Sequence, residues 1–213
     1  MLIAGLGGNC KDALADMLDK YSEAQLDFYT DSATDKNIAF FEGKGFRVHK
    51  EQNELVSYFA KGDPAFISFI GNNYAREKQV AYISGQGGAP SKFISPRSMV
   101  NERLVDISPK NAVVMHFANV SAGSVIQEGA IIYAYTAVAH DVIVGRYAFV
   151  SAHCAVSNSI IGDYTFVGLN TMIGPGVKVG KHCIIGANSY VKDDLPDNGI
   201  AAGSPAKSIR ENK

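Results

Sequence analysis

Val138-Ala139-His140-Asp141-Val142-Ile143-Val144-Gly145-Arg146-Tyr147-Ala148-Phe149-Val150 carries a valine at every sixth position, and the frame runs on in both directions. Upstream it holds Val114, Val120, Ile126 and Ile132; downstream comes Val156. The frame then slips by one residue and continues at Ile161, Val167, Ile173, Val179, Ile185 and Val191. Four residues after most of these stands a small or short side chain: Ala118, Ser124, Ala130, Thr136, Ala148, Cys154, Thr165, Thr171, Cys183 and Ser189. A hexapeptide period is the signature of a parallel β-helix. Each hexad is one short strand and a turn, and three hexads close a triangular coil. The aliphatic side chain points inward onto its equivalent in the next coil, because one coil cannot bury its apolar face alone. The short residue sits where the chain turns tightly. Glycine follows the aliphatic at Gly145, Gly162, Gly168, Gly174, Gly180 and Gly186, where it is expected to relax the backbone.

The chain has 213 residues, enough for one large domain or two small ones, and its 46% hydrophobic content allows a proper core. A formal net charge of -1 offers no basic field for nucleic acid. No apolar stretch reaches the length of a membrane span, and the start lacks the basic and apolar regions of a signal peptide, so a cytoplasmic protein is expected. Cys154 and Cys183 occupy the short-residue slot of the repeat. With Cys10 they make an odd count without a CxxC pair, which argues against a disulfide framework or zinc ribbon.

Residues 1–90 read as a small α/β domain. Strands are expected at Leu2 to Ala4, Gln25 to Tyr29, Phe46 to His49 and Ala65 to Ile70. Helices are expected with Ala13, Leu14, Met17 and Leu18 on one face, over Glu51 to Ala60, and over about Tyr74 to Ser84. Alternation of this kind implies a parallel sheet. Gly85-Gln86-Gly87-Gly88-Ala89-Pro90 reads as a linker, residues 91–106 as a lead-in, and residues 107–191 as the β-helix. Residues 192–213 form a polar tail, with a short terminal helix as one option.

Two places carry chemistry. Gly5, Gly7 and Gly8 follow a strand and open a helix, where backbone N–H groups favour phosphate, and Asp31 ends the next strand, where an acid can bind a ribose hydroxyl. A tight turn without ligand fits the same residues. The third glycine of a dinucleotide fingerprint is replaced by Cys10, so NAD is not expected. His140 lies two residues past an inward valine and should face outward, with Asp141 able to accept from Nδ1 and leave Nε2 free as a base. An exposed polar residue on a coil is the alternative. The positions near His140 where a second zinc ligand would stand hold Gly145 and Arg146, so no metal is expected.

In order along the chain stand Gly5-Leu6-Gly7-Gly8-Asn9-Cys10-Lys11, then Ile70-Gly71-Asn72-Asn73 with Arg76, then Ala139-His140-Asp141, then Gly203-Ser204-Pro205-Ala206-Lys207. Together with the hexad frame, this order resembles the bacterial nucleotide-sugar acetyltransferases of the bacillosamine and perosamine pathways and the sialic acid O-acetyltransferases of the same build. The resemblance implies a left-handed β-helix, a homotrimer with sites between adjacent β-helices, and acetyl-CoA as co-substrate. It implies transfer of the acetyl group to the 4-amino group of a nucleotide-linked amino-dideoxy sugar, with His140 as base and Asp141 orienting it. It places CoA contacts at Asn158, Leu169, Gly186 and Ala187, and the nucleotide sugar at Gly7, Gly8, Asp31 and Asn72. Four positions depart from the family pattern: Asn9 for a loop histidine, Ala139 for an acid, Phe149 for a second histidine and Tyr133 for an asparagine. O-acetylation of a sugar such as sialic acid, or an idle β-helix scaffold, are the competing readings.

Overall fold

The computed structural model describes residues 1–32, 34–60 and 62–211. They form two compact units, residues 1–92 and residues 93 onward.

The first unit is a five-stranded parallel sheet with helices between its strands. In chain order its elements are β1 (Leu2–Ala4), α1 (Gly8–Lys20), β2 (Asp27–Tyr29), α2 (Asp35–Glu42), β3 (Arg47–His49), α3 (Gln52–Phe59), β4 (Ala65–Ser68), α4 (Asn73–Gly85) and β5 (Ala89–Pro90). The sheet order is β3-β2-β1-β4-β5. Leu2, Ile3, Ala4, Phe28, Phe66 and Ile67 are fully buried, as strands covered on both faces require. The switch in winding direction falls beside β1, with β2 on one side and β4 on the other. A ligand crevice forms outside the carboxyl ends of strands at such a point.

Three expectations need correction here. Ala89 and Pro90, read as linker, form the edge strand beside Ala65 and Phe66; proline is tolerated at an edge because its missing donor faces away from the ladder. Gln25 belongs to a short 3₁₀ turn, Glu23–Gln25, so β2 begins later than the apolar run suggested. The helix α2 was not foreseen: it is capped by Thr34, which accepts from the Asn37 N–H, but only Phe41 of its eight residues is buried, so its periodicity is faint.

The second unit is the β-helix. Its strands are mostly two residues long and stack in parallel into three faces. Val114, Ile132, Val150, Val167 and Ile185 climb one face; Val120, Val138, Val156, Ile173 and Val191 the second; Ile126, Val144, Ile161 and Val179 the third. All of these are buried in one continuous core, and the short residues of the repeat line it from the corners. The coils begin earlier than the period shows. Phe93–Ile94, Met99–Val100 and Asp106–Ile107 are strands of the first coil. Steps of seven residues, Val100 to Ile107 and Ile107 to Val114, hide them from a six-residue search. The tail continues the coils too. Gly199–Ala202 adds to the first face, and Lys207–Glu211 returns antiparallel on it as a strand, where a short helix had been one option.

The glycines after the inward residues do not relax the backbone. None of the six has a positive φ. A Cβ on Gly145, Gly162, Gly168 or Gly180 would instead stand 2.5–2.7 Å from backbone atoms of the neighbouring coil. Close approach of coil to coil is what selects glycine there. Positive φ falls two residues later, and is carried by asparagine, aspartate, histidine, tyrosine and phenylalanine. Asparagine and aspartate tolerate that conformation. The aromatic residues stack on one another: Tyr135 on His153 at 4.9 Å, Tyr147 on Tyr164 at 5.7 Å, and Tyr164 on His182 at 5.1 Å.

Candidate active site

The left-handed residues form one column at each corner of the β-helix. Between the second and third faces the column is Gly123, Asp141, Asn158 and Gly176. His140 and Asp141 stand in it. Asp141 has φ +57°, and the turn is tied along the column: Asp141 N–H donates to Ala122 O at 3.2 Å, and Asn158 N–H donates to His140 O at 3.2 Å. The two side chains face outward, 63% and 65% exposed, and His140 Nδ1 lies 2.8 Å from Asp141 Oδ2. With its proton on Nδ1 the ring donates to the carboxylate, and the Nε2 lone pair is left to accept a proton from a substrate.

Asn158 lies in the same column, one coil above the histidine. Leu169, Gly186 and Ala187 do not. They lie at the corner between the first and second faces, where Asn188 N–H donates to Leu169 O at 2.8 Å. Leu169 is 55% exposed and Ala187 is exposed as well. A Cβ on Gly186 would meet the Ala202 Cβ at 2.8 Å, so this edge is kept low by packing. Within one chain, then, the histidine pair and three of the four expected CoA contacts occupy different corners. Of the departing residues, Phe149 is buried with its ring 5.6 Å from Tyr133 and 5.6 Å from Phe166, a continuous aromatic strip on the first face. Ala139 is half-buried beside the histidine. Among the described residues no three histidine, cysteine, aspartate or glutamate side chains come together as metal ligands. Burial pushes the thiols of Cys10, Cys154 and Cys183 up, so none is set up as a nucleophile.

In the first unit a cavity of about 520 Å³ opens at the carboxyl ends of β1, β2 and β4. It is lined by Gly5 to Asn9, by Thr30, Ser32, Thr34 and Asn37, and by Phe69 to Gly71 with Ala75. Gly7 caps α1 and Gly8 opens it, so free N–H groups of the first turn reach this cavity. Asp31 and Asn72 are exposed but do not line it. Asp31 accepts from Ser32 Oγ at 2.8 Å. Asn72 caps α4, its Oδ1 accepting from Ala75 N–H at 2.9 Å. Replacing Asn72 by alanine should therefore cost about 1 kcal/mol in a denaturant melt, whatever it does to ligand affinity. The sequence did not single out Thr30, Thr34 or Asn37; Thr34 and Asn37 come with the unforeseen α2. Buried Arg76 braces the cavity's third loop, donating from Nη1 to Ile70 O at 2.7 Å and Gly71 O at 3.2 Å. A larger cavity, about 730 Å³, lies at the amino ends of the strands among Met1, Asp27, Arg47, His49 and Tyr58. Burial, then the neighbouring Asp27, pushes the Tyr58 hydroxyl up to about 12. The carboxyl-end cavity is the better ligand site despite its smaller size, because it combines the winding switch, the glycine turn and a helix N-terminus.

The family model described as bacterial transferase hexapeptide (six repeats) matches residues 158–193. Over 98% of its length the chain is similar to the acetyltransferase domain of PglB from Neisseria gonorrhoeae FA1090, solved in complex with acetyl coenzyme A, at 27% identity, TM-score 0.82 and 98% of that chain. It is similar to PerB from Caulobacter crescentus, solved with CoA and GDP-perosamine, at 25% identity, TM-score 0.83, and 98% and 96% of the two chains. It is also 45% identical over 51 residues to the galactoside O-acetyltransferase of Escherichia coli (strain K12), 24% of this chain and 25% of that protein. The chain spans about a quarter to a half of the length of the curated relatives it matches. These likenesses bear out the α/β unit followed by a left-handed β-helix, and the resemblance to sugar acetyltransferases of the hexapeptide class. Among the described residues no helix is long and apolar enough to cross a membrane.

Proposed function

We propose that this protein is an acetyltransferase that moves the acetyl group of acetyl-CoA to the 4-amino group of a nucleotide-linked amino-dideoxy sugar. The observation that carries the reading is the outward His140–Asp141 pair at 2.8 Å, in a chain similar from end to end to a PglB domain bound to acetyl coenzyme A and to PerB bound to CoA and GDP-perosamine. The amine nitrogen attacks the thioester carbonyl carbon, and His140 Nε2 takes the proton that the amine loses. The C–S bond breaks as the amide forms, and the CoA sulfur leaves as thiolate and is protonated. Asp141 holds the ring in the Nδ1–H tautomer and stabilises the imidazolium. Proton transfer by a positioned base contributes about 10²–10⁴-fold in rate.

Asn158, Leu169, Gly186 and Ala187 are assigned to CoA. Their placement on two corners supports a homotrimer, in which the histidine corner of one β-helix lies against the Leu169 corner of the next. Gly7 and Gly8 are assigned to the nucleotide diphosphate at the start of α1, with Asp31 and Asn72 at the rim. O-acetylation of a sugar is the second reading, favoured by the likeness to the galactoside O-acetyltransferase.

The test is free-thiol release from acetyl-CoA against UDP-, GDP- and dTDP-linked 4-amino-4,6-dideoxy sugars, with sialic acid and galactosides alongside. Release with one nucleotide-linked amino sugar is expected. Release with the hydroxyl acceptors alone would move the assignment to O-acetylation. An absence of acetyl-CoA binding would leave a scaffold.

A further inference from the structure

The geometry points to Gly123 as the residue that sets the orientation of the His140–Asp141 pair. This inference rests on the reading of that pair as the base and its orienting partner. Gly123 stands one coil below Asp141 in the same corner column, at φ +77°. Its missing side chain is the space that the Asp141 carboxylate occupies. A Cβ built on Gly123 collides with Asp141 Oδ1, stands 3.2 Å from Cγ and 3.5 Å from the Asp141 backbone nitrogen. The backbone on both sides of the contact is tied by hydrogen bonds. Gly123 N–H donates to Leu104 O at 2.9 Å, Asp141 N–H to Ala122 O at 3.2 Å, and Asn158 N–H to His140 O at 3.2 Å. The softest coordinate is the Asp141 side-chain torsion, and rotating it carries Oδ2 away from its place beside His140 Nδ1.

The pair is exposed on both sides, so attraction alone holds it weakly in water. What lets the carboxylate take this position is the space left beneath it by Gly123. Gly176, two coils above Asp141 in the same column, supplies the contrast. It also has a left-handed backbone, φ +81°, yet a Cβ there would meet nothing within 4 Å. Alanine at either position carries the same backbone strain. Only alanine at 123 displaces the carboxylate.

The experiment reads the His140 ring nitrogens by 15N NMR in the free full-length protein, for the parent, Gly123→Ala, Gly176→Ala and Asp141→Ala. The expected result is a neutral ring largely in the Nδ1–H form in the parent and in Gly176→Ala. In Gly123→Ala and Asp141→Ala it shifts towards the Nε2–H form. A parent-like tautomer in Gly123→Ala, or an equal shift in Gly176→Ala, overturns the inference. Should Gly123→Ala fail to fold, Gly123→Asn takes its place, because asparagine accepts a left-handed backbone, as Asn158 does in this column, while its Cβ meets the same carboxylate. The spectra need neither acetyl-CoA nor acceptor, so they decide the role of Gly123 even where acetyl transfer is absent and the functional reading fails. Where transfer is present, kcat should fall about ten- to a hundredfold in Gly123→Ala with the KM for acetyl-CoA unchanged. Losses of that size follow removal of the group that orients a metal-bound imidazole.

Discussion

His140→Ala should lose acetyl transfer by about 10²–10⁴-fold, the usual contribution of a positioned general base, while the protein melts at the parent's temperature. Both halves follow from the corner geometry. The side chain is 63% exposed and turned outward beside Asp141, so truncating it opens no cavity. The backbone bonds of the turn use His140 O and the Asp141 N–H, which alanine at 140 leaves intact. On the proposed mechanism, what is lost is the acceptor for the amine proton. Thiol release with the best acceptor of the panel, measured beside a thermal melt, separates the two effects. Transfer within a factor of two of the parent would remove His140 from the mechanism, and a large fall in melting temperature would mean that the residue is structural.

Ile132→Ala should destabilise the β-helix by about 2–5 kcal/mol, the cost of a large-to-small change in a close-packed core. At about 2–4 °C per kcal/mol for a chain of this size, the melt falls by several degrees to nearly twenty. Ile132 is fully buried on the first face, between Val114 below and Val150 above, so neither neighbour can close the gap without leaving its own strand pair. Ile209, exposed on the returning tail strand, is the internal control and should change stability by less than about 0.5 kcal/mol when cut to alanine. Equal losses at both sites would contradict the inward and outward assignment on which the β-helix rests.

The β-helix was legible because its inward side chains repeat at a fixed step, and Val114 to Val191 all fell inside. The outward direction of His140 was legible by the same count, two residues past Val138. What escaped was whatever broke the step. The first coil lies hidden behind two seven-residue intervals, and the tail strands follow Val191 at irregular spacing, with Leu195 and Ala201 inward. A glycine after an inward residue suggests a conformational role, because glycine so often has one, but the space beside it is filled by backbone from the next coil, which lies far off in sequence. For the candidate site, dividing the hexads into threes would have put Asn158 with His140 and set Leu169, Gly186 and Ala187 on another corner. In the first unit, Asn72 looked like a ligand contact, and its cap to Ala75 shows a local reason for the same side chain.

The coils stack by near-identical steps of about 4.8 Å, the spacing of hydrogen-bonded strands. From Ile126 to Val144, and from Ile161 to Val179, each step uses eighteen residues. Such a chain is a ruler graduated in whole coils. Any feature on a corner can be moved relative to another only by one graduation at a time, and within either stretch removing eighteen residues rejoins each strand to an equivalent partner. The interval from Val144 to Ile161 has seventeen residues, and the missing one falls at the corner of Asn158, one coil above His140. On the histidine edge this is the one shortened turn, as Val100 to Ile107 in the first coil is the lengthened one, so a molecule laid along the edge above His140 meets a turn of different shape at a fixed height over the His140–Asp141 pair.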